Sequence, residues 1–396
     1  MRVLSVTAQK PCSTGSGVYL TEVVRSLAKM GVSQAVVAGV TREDRVDMPE
    51  GVTVYPVYFS SEKLPYPVVG MSDDMPYTST RYRDMTEEMA GQFKAAFFEV
   101  LDEAIEKENP DIILCHHLYY LTALIRAHYP AKKVYGFCHN TDLRQMESIL
   151  FERNFIRQEI PKLDRIFALQ EAQKEKIKKI YPVSEKQMTV IGTGYNSEVF
   201  KKTGIKLSRK DGKIRMIFAG KITQKKGVKS LLRALNLLDY EKEKIQLILA
   251  GGAGNLVEYE EIKELADGCR YPVVFAGCVT QSRLAELYND CDIFVLPSMY
   301  EGLPLTVIES LACGDRVVMT KLEGIAEWLA DMVPDADIRY VLPPGMKGTD
   351  EPLEEELPAF ESRLAEALRE AIEEKDTKEC DVSRISWQKI AREVIR

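Results

Sequence analysis

Short apolar runs alternate along this chain with longer stretches of helical periodicity. In the first half, Arg2–Thr7, Gln34–Ala38, Val52–Val57, Asp111–Cys115, Lys133–Phe137 and Arg165–Leu169 predict strands. Val18–Met30 and Met85–Glu108 carry apolar positions at helical spacing and predict helices. Between them, Ser60–Asp84 breaks the pattern with Pro65, Pro67, Gly70, Asp73, Asp74 and Pro76, and predicts a long irregular loop of the kind that often carries function. The polar, basic stretch Lys201–Lys213 predicts an interdomain linker. A second series follows, with strands at Ile214–Ala219, Gln246–Ala250, Val273–Phe275, Ile293–Leu296 and Val317–Thr320. The acidic stretch Asp350–Asp376 predicts a helix with Phe360, Leu364 and Leu368 on one face. Such alternation defines an α/β chain with parallel sheets. Two Rossmann-like domains facing a central cleft are expected, with ligands at the carboxyl ends of the strands.

Composition narrows the function classes. At 396 residues there is chain enough for two cores, and 45% apolar with 29% charged residues is ordinary for a water-soluble globular protein. A net charge of −7 argues against nucleic acid as a partner. Eight cysteines without a C-x-x-C pair argue against a disulfide framework and fit a reducing compartment. No apolar run is long enough to span a membrane. The opening Met1–Val6 reads as a first strand rather than a signal sequence, so cytoplasm is the expected location. Lys174–Lys179 is basic and amphipathic; it reads as a solvated helix face, with a weak membrane-surface contact as the alternative.

The candidate chemistry concentrates after Ile293–Leu296. There Glu301 and Glu309 stand eight apart, with Gly302 and Pro304 marking a turn and a helix opening near Leu305. A strand, a tight turn and a helix N-terminus present backbone N–H groups to an anion. Two carboxylates beside them suit a ligand that offers hydroxyls as well as phosphate. After Ile214–Ala219, the run Gly220-Lys221-Ile222-Thr223-Gln224-Lys225-Lys226-Gly227 places cations before a helix, where they suit a diphosphate. Thr14-Gly15-Ser16-Gly17 precedes the first helix, and His139-Asn140-Thr141-Asp142-Leu143-Arg144 follows a strand.

The run from Pro297 to Gly314, with Glu301, Gly302, Pro304, Leu305, Glu309 and Ala312 in place, resembles the E-x7-E signature of GT4-type retaining glycosyltransferases of the GT-B fold. Gly220–Gly227 is similar to that family's G-R-x4-K-G element, with Lys221 where Arg is usual; Lys keeps the charge and loses the bidentate fork. The resemblance runs along nearly the whole chain, strongest from Gly220 to Gly314 and weakest from Val57 to Gln92. It includes Val190–Phe200, the glycine-rich turn Gly251–Gly254, and Ile385-Ser386-Trp387 of a terminal helix. Arg316 stands where Pro is usual.

The resemblance implies a division into an acceptor-side domain (1–200), a nucleotide-sugar domain (201–376) and a terminal helix (377–396) that packs back on the first. It implies His139, Lys226 and Glu301 as catalytic residues. Gly17, Lys221, Lys226, Gly277, Cys278, Glu301, Gly302, Leu303, Leu305, Thr306 and Glu309 would bind the donor. His117, Asn140, Asp142 and Arg144 are candidates for the acceptor, and Asp142 and Arg144 equally suit a surface ion pair. The implied reaction moves a hexose from a nucleotide-diphosphate sugar, a UDP-sugar by preference, to a small polar hydroxyl acceptor by a front-face route. No cofactor or metal is expected. The strings Asp290-Cys291-Asp292 and Asp335-Ala336-Asp337 sit at a strand's start and in a loop, where neither suits a metal, and Cys115, His116, His117, Cys138 and His139 lack zinc-ligand spacing.

Other classes fit less well. A nicotinamide enzyme would need a third glycine where Leu20 stands. A non-catalytic sugar-nucleotide-binding protein leaves His139, Lys226, Glu301 and Glu309 together without a task. A sugar-nucleotide epimerase or hydrolase on the same fold is the in-class alternative.

Overall fold

The structure, a computed structural model, describes residues 1–11, 13–73, 75–209, 211–253, 255–348, 351–374 and 380–396. Asp74, Gly254, Asp350, Asp376 and the boundary expected at 376/377 lie outside the described residues. The chain forms two compact units, Met1–Gly194 with Trp387–Arg396, and Tyr195–Ser386.

The first unit opens with β1 (Arg2–Thr7), α1 (Gly15–Lys29), β2 (Ser33–Val40) and β3 (Thr53–Tyr58). The short pair β4 (Val69–Gly70) and β5 (Thr80–Arg81) follows, then α2 (Glu87–Glu108), β6 (Ile112–His116), α3 (Tyr120–His128), β7 (Lys133–Phe137) and α4 (Thr141–Ser148). It continues through α5 (Arg153–Glu159), β8 (Arg165–Ala168), α6 (Glu171–Ile180) and β9 (Met188–Val190). The seven-stranded sheet has the order β3-β2-β1-β6-β7-β8-β9, every pair parallel. β1 is central, and Val3 to Thr7 are all buried, which is why its sequence is apolar without alternation. Strand order reverses at β1, so the loops after β1 and β6 flank the switch point where open α/β sheets bind ligands.

The segment from Ser60 to Asp84 is mostly irregular, as expected, yet it is no surface strap. Leu64, Tyr66, Val68, Val69, Met71 and Tyr82 belong to the core of this unit.

The second unit comprises α7 (Ile205–Ser208), β10 (Ile214–Ala219), α8 (Val228–Asn236), β11 (Ile245–Ala250), α9 (Leu256–Asp267) and β12 (Val273–Gly277). Next come α10 (Gln281–Asp290), β13 (Ile293–Leu296), α11 (Leu305–Cys313), β14 (Arg316–Thr320), α12 (Ile325–Met332), β15 (Ile338–Val341) and α13 (Leu357–Glu373). The sheet order is β12-β11-β10-β13-β14-β15, all parallel, and it reverses at β10. The loops after β10 and β13 therefore adjoin a second switch point.

Two expectations change here. Lys201–Lys213 is not a linker but part of the second unit. Thr203 bonds Asn289, Lys206 Nζ reaches Asp315 at 2.6 Å, and Arg209 pairs with Asp292. The acidic helix α13 begins at Leu357, with Phe360, Leu364 and Leu368 buried as expected. The chain then enters α14 (Trp387–Val394), which belongs to the first unit and packs on α1. Trp387 meets Tyr19 edge-on, and its ring lies where any side chain on Gly194 would stand. Arg165 of β8 pairs with Glu393 at 2.6 Å.

Candidate active site

In the second unit, three adjacent strands end in glycine. Gly220, Gly251 and Gly277 extend the sheet by one more rung: Gly220 N donates to Ala250 O and Gly251 N to Gly277 O. A Cβ on Gly251 would stand 1.8 Å from Gly220 O, so only glycine allows this shelf. Cys278, just beyond Gly277, is exposed, and its Sγ lies over Gly252.

The loop after β10 tightens at once. Thr223 caps a single turn by accepting from Lys226 N, and Gly227 takes a positive φ of 73° to leave it. A Cβ on Gly227 would meet Pro297 O at 2.0 Å, so this glycine lets the β10 loop press on the end of β13. Met299 N donates to Lys225 O at 2.9 Å and seals that contact. The consequence is that Lys226 Nζ donates to Glu301 Oε1 at 2.6 Å, both side chains remaining partly exposed. Residues seventy-five apart in sequence thus form one charged pair at the switch point.

Gly302 is partly exposed and Leu303 is buried, and Pro304 then caps α11. Leu305 and Thr306 open the helix and are partly exposed. The opening N–H groups of a helix such as this favour an anion. Glu309 is buried on the same helix. Burial first, and the charge of Glu309 second, push the Tyr288 phenol well above its usual range. Lys221 is partly exposed beyond Gly220. The second unit therefore gathers Lys226 and Glu301 directly, with Glu309 on the helix that follows.

In the first unit, Thr14 caps α1 by accepting from Gly17 N at 3.1 Å. That amide closes the cap, and Gly17 is buried in the first turn. Ser16 Oγ donates to Gln9 Oε1, and His117 Nε2 lies 3.2 Å from the same oxygen and 3.1 Å from Ser16 Oγ. His117 is buried, with φ of 76°. His139, partly exposed, stacks on His116 with Nε2 3.1 Å from His116 Nδ1. Burial pushes His116 and His117 well below the ordinary imidazole range, and His139 down to about 3.

Asp142 lies in the interior, not on the surface. It is fully buried, and its carboxylate accepts from Leu118 N at 2.7 Å, Leu143 N at 3.1 Å and His139 N at 3.3 Å. Burial raises its pKa against those hydrogen bonds. Asp142 thus holds the β6 and β7 loops together. Asn140 is buried in the turn at φ of 73°. Arg144 is buried and donates to Asp73 at 3.1 Å, which also receives Arg83. Arg144 thus pins the irregular 60–84 segment.

The remaining charged motifs are structural. Asp292 pairs with Arg209, and Asp337 pairs with Arg339 and Arg316. Arg316, standing where the family usually has proline, lies 3.5 Å from Asp337 through its Nε. In α6, Lys174 and Lys178 both pair with Glu185. Among the described residues, no group of His, Cys, Asp or Glu has the arrangement of a metal site.

Sequence reading missed Gln9, Ser16 and the role of His116. Polar residues beside strand ends were the available signal, and nothing in the spacing said which would meet.

Comparison with known proteins agrees with the fold. A model of Glycosyltransferase Family 4 matches residues 13–199, and one of glycosyl transferases group 1 matches 200–356. The chain belongs to the GT4-type glycosyltransferases. An uncharacterized glycosyltransferase of Methanocaldococcus jannaschii is 29% identical over 41% of this chain and 44% of its own length. D-inositol 3-phosphate glycosyltransferase 2 of Catenulispora acidiphila is 24% identical over 80% of this chain and 76% of its own. HepE of Anabaena, solved in complex with UDP-glucose, shares the fold with a TM-score of 0.63 at 14% identity, covering 100% of this chain and 98% of that one. The matched segment spans less than half of the first of these relatives.

Proposed function

We propose that the protein is a retaining hexosyltransferase that uses a nucleotide-diphosphate sugar, preferably a UDP-sugar, and a small polar hydroxyl acceptor. The observation that carries this reading is the 2.6 Å pair of Lys226 and Glu301, with Glu309 on the helix that follows. A diphosphate competes for Lys226, and its arrival frees Glu301 to accept hydrogen bonds from sugar hydroxyls. Glu309 accepts from the ribose hydroxyls, and the N–H groups opening α11 hold sugar and phosphate. Gly277 and Cys278 lie where the base would rest.

In the reaction, the bond between C1 of the sugar and the phosphate oxygen breaks. A bond from C1 to the acceptor oxygen forms on the same face. The acceptor proton passes to the departing phosphate, whose growing charge Lys226 and Lys221 neutralise. The residues of the first unit, His139 foremost, serve the acceptor side. The cytoplasm is the proposed location. The described cysteines are unpaired, and among the described residues no helix is long and apolar enough to cross a membrane.

The test is turnover of UDP-hexoses with a panel of sugar phosphates, polyols and sugars, followed by proton NMR of the product. The expected product keeps the donor's α configuration. An inverted product would refute the retaining mechanism. Free sugar or an epimer released equally well without any acceptor would favour the epimerase or hydrolase.

A further inference from the structure

The buried histidines of the first unit determine which proton His139 carries. His116 Nδ1 and His139 Nε2 lie 3.1 Å apart, so one ring donates to the other. His116 Nε2 is buried without a hydrogen-bond partner. If His139 were the donor, the proton of neutral His116 would sit on that buried, unpartnered nitrogen. Orphaned buried N–H groups are rarer and costlier than orphaned lone pairs. The favoured arrangement therefore protonates His116 at Nδ1, which donates to His139 Nε2. The proton of His139 then sits on Nδ1. That nitrogen makes no hydrogen bond to a described residue and is not among the buried unpartnered atoms. It is the ring edge that a ligand reaches.

We infer that His116 is a positioning residue that locks His139 as its Nδ1–H tautomer, so that His139 presents a hydrogen-bond donor to the substrate rather than a base. Stacking supports the lock. The His116 ring lies between Phe137, at 4.8 Å with planes 16° apart, and His139, at 5.3 Å with planes 12° apart. The other rings against His139 are Tyr19, His117 and, farther off, Phe137, none of which would stabilise an imidazolium, and the Asp142 carboxylate accepts the backbone N–H of His139 rather than a ring N–H. With its Nε2 lone pair occupied, His139 does not take the acceptor's proton, which leaves that proton to the departing phosphate. Only this catalytic consequence rests on the transferase reading. The tautomer itself does not.

The experiment is nitrogen-15 NMR of the imidazoles in the full chain, which holds only four histidines and is assigned by single substitutions. In the unsubstituted protein, His139 is expected with its proton on Nδ1; a proton on Nε2 overturns the inference, and this arm needs no variant to fold. His116→Phe keeps the stack and removes the donor, so His139 should shift toward the Nε2–H form favoured in water. His116→Asn places an amide N–H near the lost Nδ1 and should restore the original signal. A His139 spectrum unchanged in His116→Phe overturns the lock. In turnover, kcat should fall about tenfold in His116→Phe, the size of one hydrogen bond, and recover in His116→Asn with donor KM little changed. The expected tautomer in a protein without transferase activity would uphold the lock and refute the proposed function instead.

Discussion

Asp142 shows how much a single residue can decide. One buried carboxylate receives three backbone N–H groups, from Leu118 after β6, His139 after β7 and Leu143 in α4. Removing it strands those donors, and Asp142→Ala should cost about 3 kcal/mol of stability by urea unfolding, since each orphaned group carries its desolvation penalty. A loss below about 0.5 kcal/mol would show that the loops stand without it. Lys226 is the opposite case. Its pair with Glu301 is partly exposed, so Lys226→Met should alter stability by about 1 kcal/mol or less. The same change should lower kcat/KM about 100-fold, because the charge it places on the diphosphate matters most as the bond breaks. Equal loss of fold and activity would make Lys226 a structural residue.

At the scale of elements, the strand ends of the first unit carry imidazoles that burial holds neutral. The folded values of His116, His117 and His139 lie below the ordinary value of about 6.5. The folded form therefore binds fewer protons than the unfolded one. Stability is fully present above about pH 6.5 and is lost as pH falls toward the folded values. Asp142, raised by burial, acts in the other direction, but one carboxyl opposes three rings. In a Trp328→Phe background, fluorescence of Trp387 reports on the first unit. Its urea midpoint should fall from pH 7 to pH 5, and replacing His117 with Gln should flatten that slope. A midpoint that rises on acidification would contradict the burial argument.

The same scale shows what the sequence revealed. β1, β7, β10 and β13 run within the limits their apolar runs predicted, because central parallel strands are apolar on both faces. Glu301, Lys226 and Glu309 stood out through the family motif rather than through local charge alone, and the structure pairs the first two. Three things were not legible. Lys206 and Arg209 looked like linker cations because their carboxylate partners, Asp315 and Asp292, lie far along the chain. Asp142 looked like an acceptor ligand or half of a surface ion pair, because spacing does not say that it is buried beyond the turn at Asn140. The tyrosines and methionines of the 60–84 segment showed no period, since they fill the core from irregular backbone.

For the molecule as a whole, two parallel sheets repeat one rule: strand order reverses next to β1 and next to β10, and the polar clusters gather at those reversals. The first unit holds a neutral histidine cluster fixed by Asp142 and His116. The second holds the charged pair and the helix that follow from Gly227 and Pro304. The central claim is that this second cluster binds a sugar nucleotide through Lys226, Glu301 and Glu309. A thermal-shift comparison of UDP-, GDP- and ADP-sugars and NAD(P) tests it most directly, with the unsubstituted protein beside Glu309→Ala. One class of sugar nucleotide should raise Tm, and the rise should shrink in Glu309→Ala. A rise with NAD(P) alone, or one that survives Glu309→Ala undiminished, would contradict it.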